Sequence, residues 1–151
     1  MVRVQTAALD PGALLGEFCA GRTDCGGVVS FTGLARAATD GAAVSVLELD
    51  AFPGFTEPAI EALVQTARVR FGVRDTMAVH RYGAIRPGEA IVFVAVAAEH
   101  RRAAFLAADF LMDKLKTEAP FWKKETGPEG ERWIEPRAPD YQDAERWSED
   151  I

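Results

Sequence analysis

The chain has 151 residues, 48% hydrophobic and 26% charged, enough to bury a core without disulfides or metals; one domain over residues 1–151 is expected. A formal net charge of -6 argues against general nucleic-acid binding, and no apolar run approaches the length that spans a bilayer. Cys19 and Cys25 make no metal-type spacing with His80 and His100, so a reduced, cytoplasmic setting without a metal is the expectation.

Met1-Val2-Arg3-Val4 lacks a signal-peptide core and reads as a first strand. Asp10-Pro11-Gly12 opens a short helix, with Asp10 as N-cap and Leu14, Leu15 and Phe18 turned inward, and Gly21 ends it. Gly27 to Phe31 is a strand punctuated by Thr32-Gly33. Val44 to Phe52 is a second strand, expected to pair with the first across a polar loop at Ala38 to Ala42, and Pro53-Gly54 turns the chain.

Thr56 is expected to cap a helix reaching about Phe71, with Ile60, Leu63, Val64 and Ala67 as its buried stripe. Thr76 to Tyr82 and Ala90 to Ala97 are strands joined by a Pro87-Gly88 turn; the second is nearly all apolar and is expected to be central. Glu99 to Thr117 is the main helix, with Phe105, Ala108, Met112 and Leu115 on its core face. Phe121 to Lys124 and Arg132 to Glu135 flank Gly127-Pro128-Glu129-Gly130 as a closing hairpin, and the polar stretch from Arg137 onward, with Tyr141 and Trp147, is expected to dock on a partner surface. Strands and helices alternate without a regular βαβ cadence, so the fold class is α+β.

The chemistry concentrates where the main helix stops at Pro120. Lys116 lies in its last turn, and Lys123 and Lys124 follow Phe121 and Trp122. Neighbouring ammonium groups and apolar walls both depress a lysine pKa, which suits one lysine to nucleophilic or proton-transfer work while the other holds an anion. Lys114 is assigned to the favourable charge–dipole interaction at a helix C-terminus. Arg36, beyond the glycine that ends the Gly27 strand, and His100, Arg101 and Arg102, at the helix start, are further candidates for anion contacts. Each alone reads as a solvated cation, and their coincidence with the lysines is what favours a site. His100 and Lys116 are sixteen residues apart on one helix, roughly 24 Å at 1.5 Å per residue. One small ligand reaches both only if two chains share the pocket.

His80 reads as a structural strand histidine, the cysteines as inert thiols without a flanking cation, and the tryptophans as core or interface anchors. Three chemistries stay open on these residues: a Schiff-base or lyase-type lysine enzyme, a non-enzymatic scaffold that docks an acidic partner, and a persulfide carrier.

Several segments, in order, resemble the large, catalytic subunit of molybdopterin synthase, the MoaE family, over essentially the whole length. They are Val28-Val29-Ser30-Phe31-Thr32-Gly33 with Arg36; Val79-His80-Arg81-Tyr82-Gly83 with Pro87-Gly88-Glu89; Ala98-Glu99-His100-Arg101; Leu115-Lys116-Thr117; and Pro120-Phe121-Trp122-Lys123-Lys124-Glu125, then Trp133. The resemblance implies an α/β-hammerhead with an additional antiparallel β-sheet. It implies sulfur transfer, without a metal or redox cofactor, from the C-terminal thiocarboxylate of a small ubiquitin-like subunit to cyclic pyranopterin monophosphate, forming the dithiolene of molybdopterin. It also implies a central dimer of large subunits with a small subunit at each end. Carried over by residue, Lys116 and Lys123 match the catalytic lysines. Arg36, His100, Arg101 and Arg137 match anion-pocket positions, some given by the other subunit, and Lys124 and Glu125 adjoin the site. Leu49-Asp50-Ala51-Phe52 and Phe55 depart from the family's Tyr-Glu-Ala-Tyr and later Met; they keep apolar character and remove phenolic hydroxyls.

Overall fold

The computed structural model describes residues 1–148. Its architecture follows from the apolar strand β8 (Ala90–Ala98), which is buried at every position but Ile91. A strand apolar on both faces needs cover on both, and β8 has it. Val92, Val94, Val96 and Ala98 pack with α2 (Thr56–Phe71) and α3 (Arg101–Glu118), while Phe93, Ala95 and Ala97 pack with Leu14 and Phe18 of α1 (Pro11–Cys19). β8 lies between β6 (Asp75–Arg81) and β2 (Gly27–Leu34) in a sheet of order β1–β6–β8–β2; β1 (Val2–Gln5) runs parallel to β6 and the other pairs are antiparallel. The expected central strand is therefore central.

A second, wholly antiparallel sheet has the order β10–β9–β5–β7, from β5 (Val46–Ala51), β7 (Gly83–Ile85), β9 (Phe121–Gly127) and β10 (Gly130–Ile134). This α+β arrangement, with its extra antiparallel sheet, is the expected class. The pairing expected between β5 and β2 is not made. β2 is an edge strand paired with β8 alone, and β5 pairs with β7 and β9 in the other sheet. The supposed polar loop explains why: β3 (Ala38–Thr39) and β4 (Ala42–Ala43) close on themselves. Their turn is Asp40-Gly41, with φ of 50° and 81°, a pair of left-handed residues suited to a tight hairpin that redirects the chain. The expected Thr76–Tyr82 strand is observed as Asp75–Arg81, and Gly83 beyond it, at φ 91°, lets Gly83–Ile85 change sheets.

Asp10 caps α1 as expected, its Oδ1 accepting from the Ala13 N–H at 3.0 Å, although the helix ends at Cys19 before Gly21. Thr56 does not cap α2. Its buried hydroxyl accepts from the Phe52 N–H at 2.8 Å and donates to the Pro120 carbonyl at 2.9 Å, tying the start of α2 to the end of α3. The stripe Ile60, Val64 and Ala67 is buried, with Leu63 beside it. On α3 the core face is Ala104, Ala107, Ala108, Phe110, Leu111 and Leu115, and Phe105 is 60% exposed. Alanines allow the helix to lie close on β8, so the small-residue stripe wins the inward face and the bulky Phe105 turns out.

The tail also differs from expectation, because it docks on its own chain. Trp147 is buried against Phe71 and Phe110, and its Nε1–H donates to Asp113 at 2.6 Å. Arg146 bridges Asp109 at 3.2 Å and Asp113 at 2.5 Å, which fixes α4 (Ala138–Glu145) along α3. Residues 149–151 of the tail lie outside the described residues. No described helix is long and apolar enough to cross a membrane.

Candidate functional site

α3 ends at Glu118, Ala119 is extended, and Pro120 cannot continue the helix, so the chain reverses at once into β9. Strand alternation then sorts the aromatic and basic run. Phe121, Lys123 and Glu125 share the face toward α3, while Trp122 and Lys124 share the other. Lys123 comes back beside Lys116, across the break that no helical period relates.

Lys116, Lys123 and Arg36 line one open cleft of about 590 Å³, with Phe31, Leu34, His80, Met112 and Asp140 among its walls. A narrower recess of about 150 Å³ continues from the same three cations toward Thr39, Leu49, Glu125 and Ile134. Among the described residues none of the three cations is ion-paired. Three cations free of direct ion pairs in one cleft form a receptor for anions.

Their environments differ. Lys116 and Arg36 are exposed, whereas Lys123 sits between apolar strand neighbours, opposite Leu49 and Ile134. Burial, and secondly the charge of Lys116, bring the Lys123 pKa from 10.5 down to about 8, against an opposing pull from Asp140. An appreciable neutral fraction near physiological pH is what a proton-transfer lysine needs.

His80 lies at the floor of the cleft, stacked on Phe121 with ring centroids 4.0 Å apart. Burial, reinforced by Lys123, lowers its pKa from 6.5 to about 4, although the Arg81 carbonyl at 2.9 Å from Nδ1 resists the shift. The ring is therefore neutral at physiological pH. The carbonyl requires the proton on Nδ1, which leaves Nε2 as an acceptor.

The remaining sequence-predicted positions divide. Glu125 lines the recess, but its carboxylate is held by Thr39 Oγ1 at 2.8 Å and Arg132 at 3.0 Å. Lys124 faces the other side of β9, between Glu48 at 3.3 Å and Glu131 at 3.5 Å, so alternation keeps it out of the cleft. Arg137 is exposed at the start of α4, where its backbone N–H donates to Asp140 Oδ2 at 2.7 Å. His100 and Arg101 lie at the far end of α3. There Arg101 joins Arg102, Phe105, Leu106 and Asp109 in a separate shallow recess, and the fold of one chain does not bring them to Lys116.

Two further residues line the cleft: His80, expected only as a structural strand histidine, and Asp140, which the sequence did not single out. His80 was legible as the Ala78-side partner in β6's alternation, which points it toward α3. Asp140 carries a helix-start signal, with Pro139 in the first turn and an acidic residue behind it. The cysteines lie away from the cleft. Arg22, between the two cysteines in sequence, stands near Cys25 and corrects the expectation of no flanking cation, but it is engaged by Asp75 at 2.8 Å and Asp24 at 3.5 Å.

Comparison with known proteins gives a consistent result. Residues 4–118 match the family model described as MoaE protein. The chain is 55% identical over 150 residues to the molybdopterin synthase catalytic subunit of Caulobacter vibrioides, covering 99% of each. It is 46% identical to that of Ralstonia nicotianae over 97% of this chain and 83% of the relative. Among solved structures, the molybdopterin biosynthesis MoaE protein of Burkholderia ambifaria superposes with a TM-score of 0.83 at 40% identity, covering 98% of this chain and 97% of that one.

Proposed function

The chain belongs to the MoaE family, the catalytic subunits of molybdopterin synthase, and from that premise we propose that it carries out the sulfur-transfer step in the cleft between Lys116 and Lys123. As a member it is an enzyme of molybdenum cofactor biosynthesis. In this reading residues 1–151 act as one cytoplasmic domain. The sulfur donor is the C-terminal thiocarboxylate of a small ubiquitin-like subunit, and the acceptor is cyclic pyranopterin monophosphate, which becomes molybdopterin when its dithiolene is installed. The two subunits of molybdopterin-converting factor from Helicobacter pylori form a protein–protein complex, and a counterpart is proposed here.

The observation that carries the reading is the juxtaposition of Lys116, Lys123 and Arg36, none of them in a direct ion pair among the described residues, in one cleft. Thiocarboxylate and cyclic phosphate are both anions, so their approach needs fixed positive charge. Arg36 offers a bidentate fork for one anion and Lys116 a point contact for the other. Lys123 holds its proton least tightly and is suited to exchange it with the reacting groups as sulfur bonds to carbon. The apolar walls Phe31 and Leu34, 45% and 56% exposed, are unfilled contact surface for a ring or a peptide tail. Lys124, turned away, is assigned to holding β9 and β10 together, and Glu125 to shaping the recess.

His100 and Arg101 enter through a second copy of the chain. Two large subunits at the centre, with a small subunit at each end, would let the start of one α3 complete the cleft at the end of the other. The basic and apolar surface of Arg101, Arg102, Phe105 and Leu106 supports such a contact. Mixing an Arg101→Ala chain with a Lys116→Ala chain tests this. Recovery of about a quarter of wild-type turnover, from mixed dimers holding one intact cleft, is expected under random assortment. No recovery, with mixed dimers demonstrated, would remove Arg101 from a shared site. Following labelled sulfur from the thiocarboxylate into the product tests the transfer itself; a label that stays on the small subunit refutes it.

A further inference from the structure

Lys123 is faced by charged or titratable groups from every element around it: Lys116 and Asp113 on α3, Arg36 after β2, His80 on β6, Glu125 on its own strand and Asp140 on α4. Three of these are carboxylates, and they are not equivalent. Asp113 is occupied by Arg146 at 2.5 Å and by the Trp147 indole at 2.6 Å. Glu125 is occupied by Thr39 and Arg132. Asp140 gives one oxygen, Oδ2, to the Arg137 N–H at 2.7 Å, and among the described residues its other oxygen has no partner. Asp113 and Glu125 are each paired with an arginine, so among the described residues Asp140 is the one cleft carboxylate without an ion pair. It is also placed rigidly, because α4 is fixed to α3 through Arg146 and Trp147.

We propose that Asp140 is a positioning residue for Lys123, holding its ammonium across the cleft and thereby setting the pH at which that lysine gives up its proton. The inference deepens the sulfur-transfer reading and rests on it only for its catalytic consequence. Asp140 and Lys123 make no direct ion pair, so the attraction acts over a gap that ligand or water can enter. A neutral side chain at 140 leaves burial and Lys116 unopposed, and Lys123 then loses its proton at lower pH. The link also joins Arg137 to the cleft without direct contact, because the Arg137 N–H anchors the carboxylate that faces Lys123.

The test uses the full chain and reads Lys123 itself: its acetylation rate by acetic anhydride across the pH range, measured peptide by peptide. Asp140→Asn keeps an acceptor for the Arg137 N–H, and Asp140→Ser is a second variant with a shorter side chain. Asp143→Asn, the same charge change on the exposed side of α4, is the control. The Lys123 midpoint is expected near 8 in the wild type. Both Asp140 variants should shift it to lower pH, with labelling near neutrality faster by about twofold, the response to a few tenths of a pH unit. Asp143→Asn should behave as wild type. No shift in either Asp140 variant, or an equal shift in Asp143→Asn, overturns the proposal. The pH profile of sulfur transfer should move with the labelling midpoint. If labelling moves and the profile does not, Asp140 keeps its role and Lys123 loses its catalytic one.

Discussion

Replacing Lys123 by Met should make the protein more stable and less active at once. Lys123 is held in a site that disfavours its charge. The fall in its pKa from 10.5 to about 8, at about 1.4 kcal/mol per pH unit, is worth roughly 3 kcal/mol. Screening by water at the open cleft reduces this to about 2–3 kcal/mol. The sign follows from proton binding. Below pH 8 the lysine is charged in both folded and unfolded chains, and the folded state bears the whole penalty. Between 8 and 10.5 the unfolded chain binds more protons than the folded one, so wild-type stability rises with pH and the penalty disappears. Met has nearly the volume of the lysine stem and no charge, so its advantage should be full at pH 7 and lost by about pH 10.5. Urea denaturation followed by tryptophan fluorescence, with buried Trp147 as reporter, measures both chains over that range. The difference between them cancels the alkaline titrations that are not coupled to Lys123. A Met variant no more stable than wild type at pH 7, or an advantage that persists unchanged to pH 10.5, would refute the reasoning.

Three further outcomes are expected. His80→Phe preserves the stack on Phe121 and removes a ring whose pKa falls from 6.5 to about 4 on folding. Between those values the unfolded wild type binds the extra proton, so wild-type stability drops on acidification through this window. The variant should escape about 2–3 kcal/mol of that loss, measured by urea melts at pH 7 and pH 4. Gly127→Ala would place a Cβ 2.1 Å from the Ala43 carbonyl oxygen, where backbone must yield; a loss of about 1–3 kcal/mol in thermal or urea unfolding is expected. Trp147→Ala empties a buried site that anchors α4 and should cost about 3–5 kcal/mol. It should also shift Lys123 labelling in the direction of Asp140→Asn, since the carboxylate loses its support.

Local signals carried most of the fold. The apolar run of β8, the Asp10-Pro11 start of α1, the Ile60–Val64–Ala67 stripe and the hairpin around Gly127–Gly130 were each legible within a dozen residues, because short-range sterics and periodicity determine them. What failed was pairing at a distance. β5 finds its partners in strands some forty and eighty residues later, and only the Asp40-Gly41 turn hinted that it would not return to β2. Phe105 was misplaced because bulk was read as core where the sheet required alanine. In the tail, Trp147 packs on its own chain against Phe71 and Phe110, while Tyr141 stays half exposed. In the cleft, the lysines were visible as an anomaly of charge beside aromatics. The place of Asp140 in the cleft, and of His80 beyond a structural role, depends on which strands and helices meet at the end of α3.

Lys116 and Lys123 are proposed to form one sulfur-transfer site. The most direct measurement is turnover of cyclic pyranopterin monophosphate by this chain with a thiocarboxylated small subunit, comparing wild type with Lys116→Ala and Lys123→Ala while partner binding is followed in parallel. Product from wild type, little from either variant and undiminished binding is the expected result. Turnover that survives in both variants, or falls only as far as partner binding falls, would contradict it and leave the lysines as a docking surface.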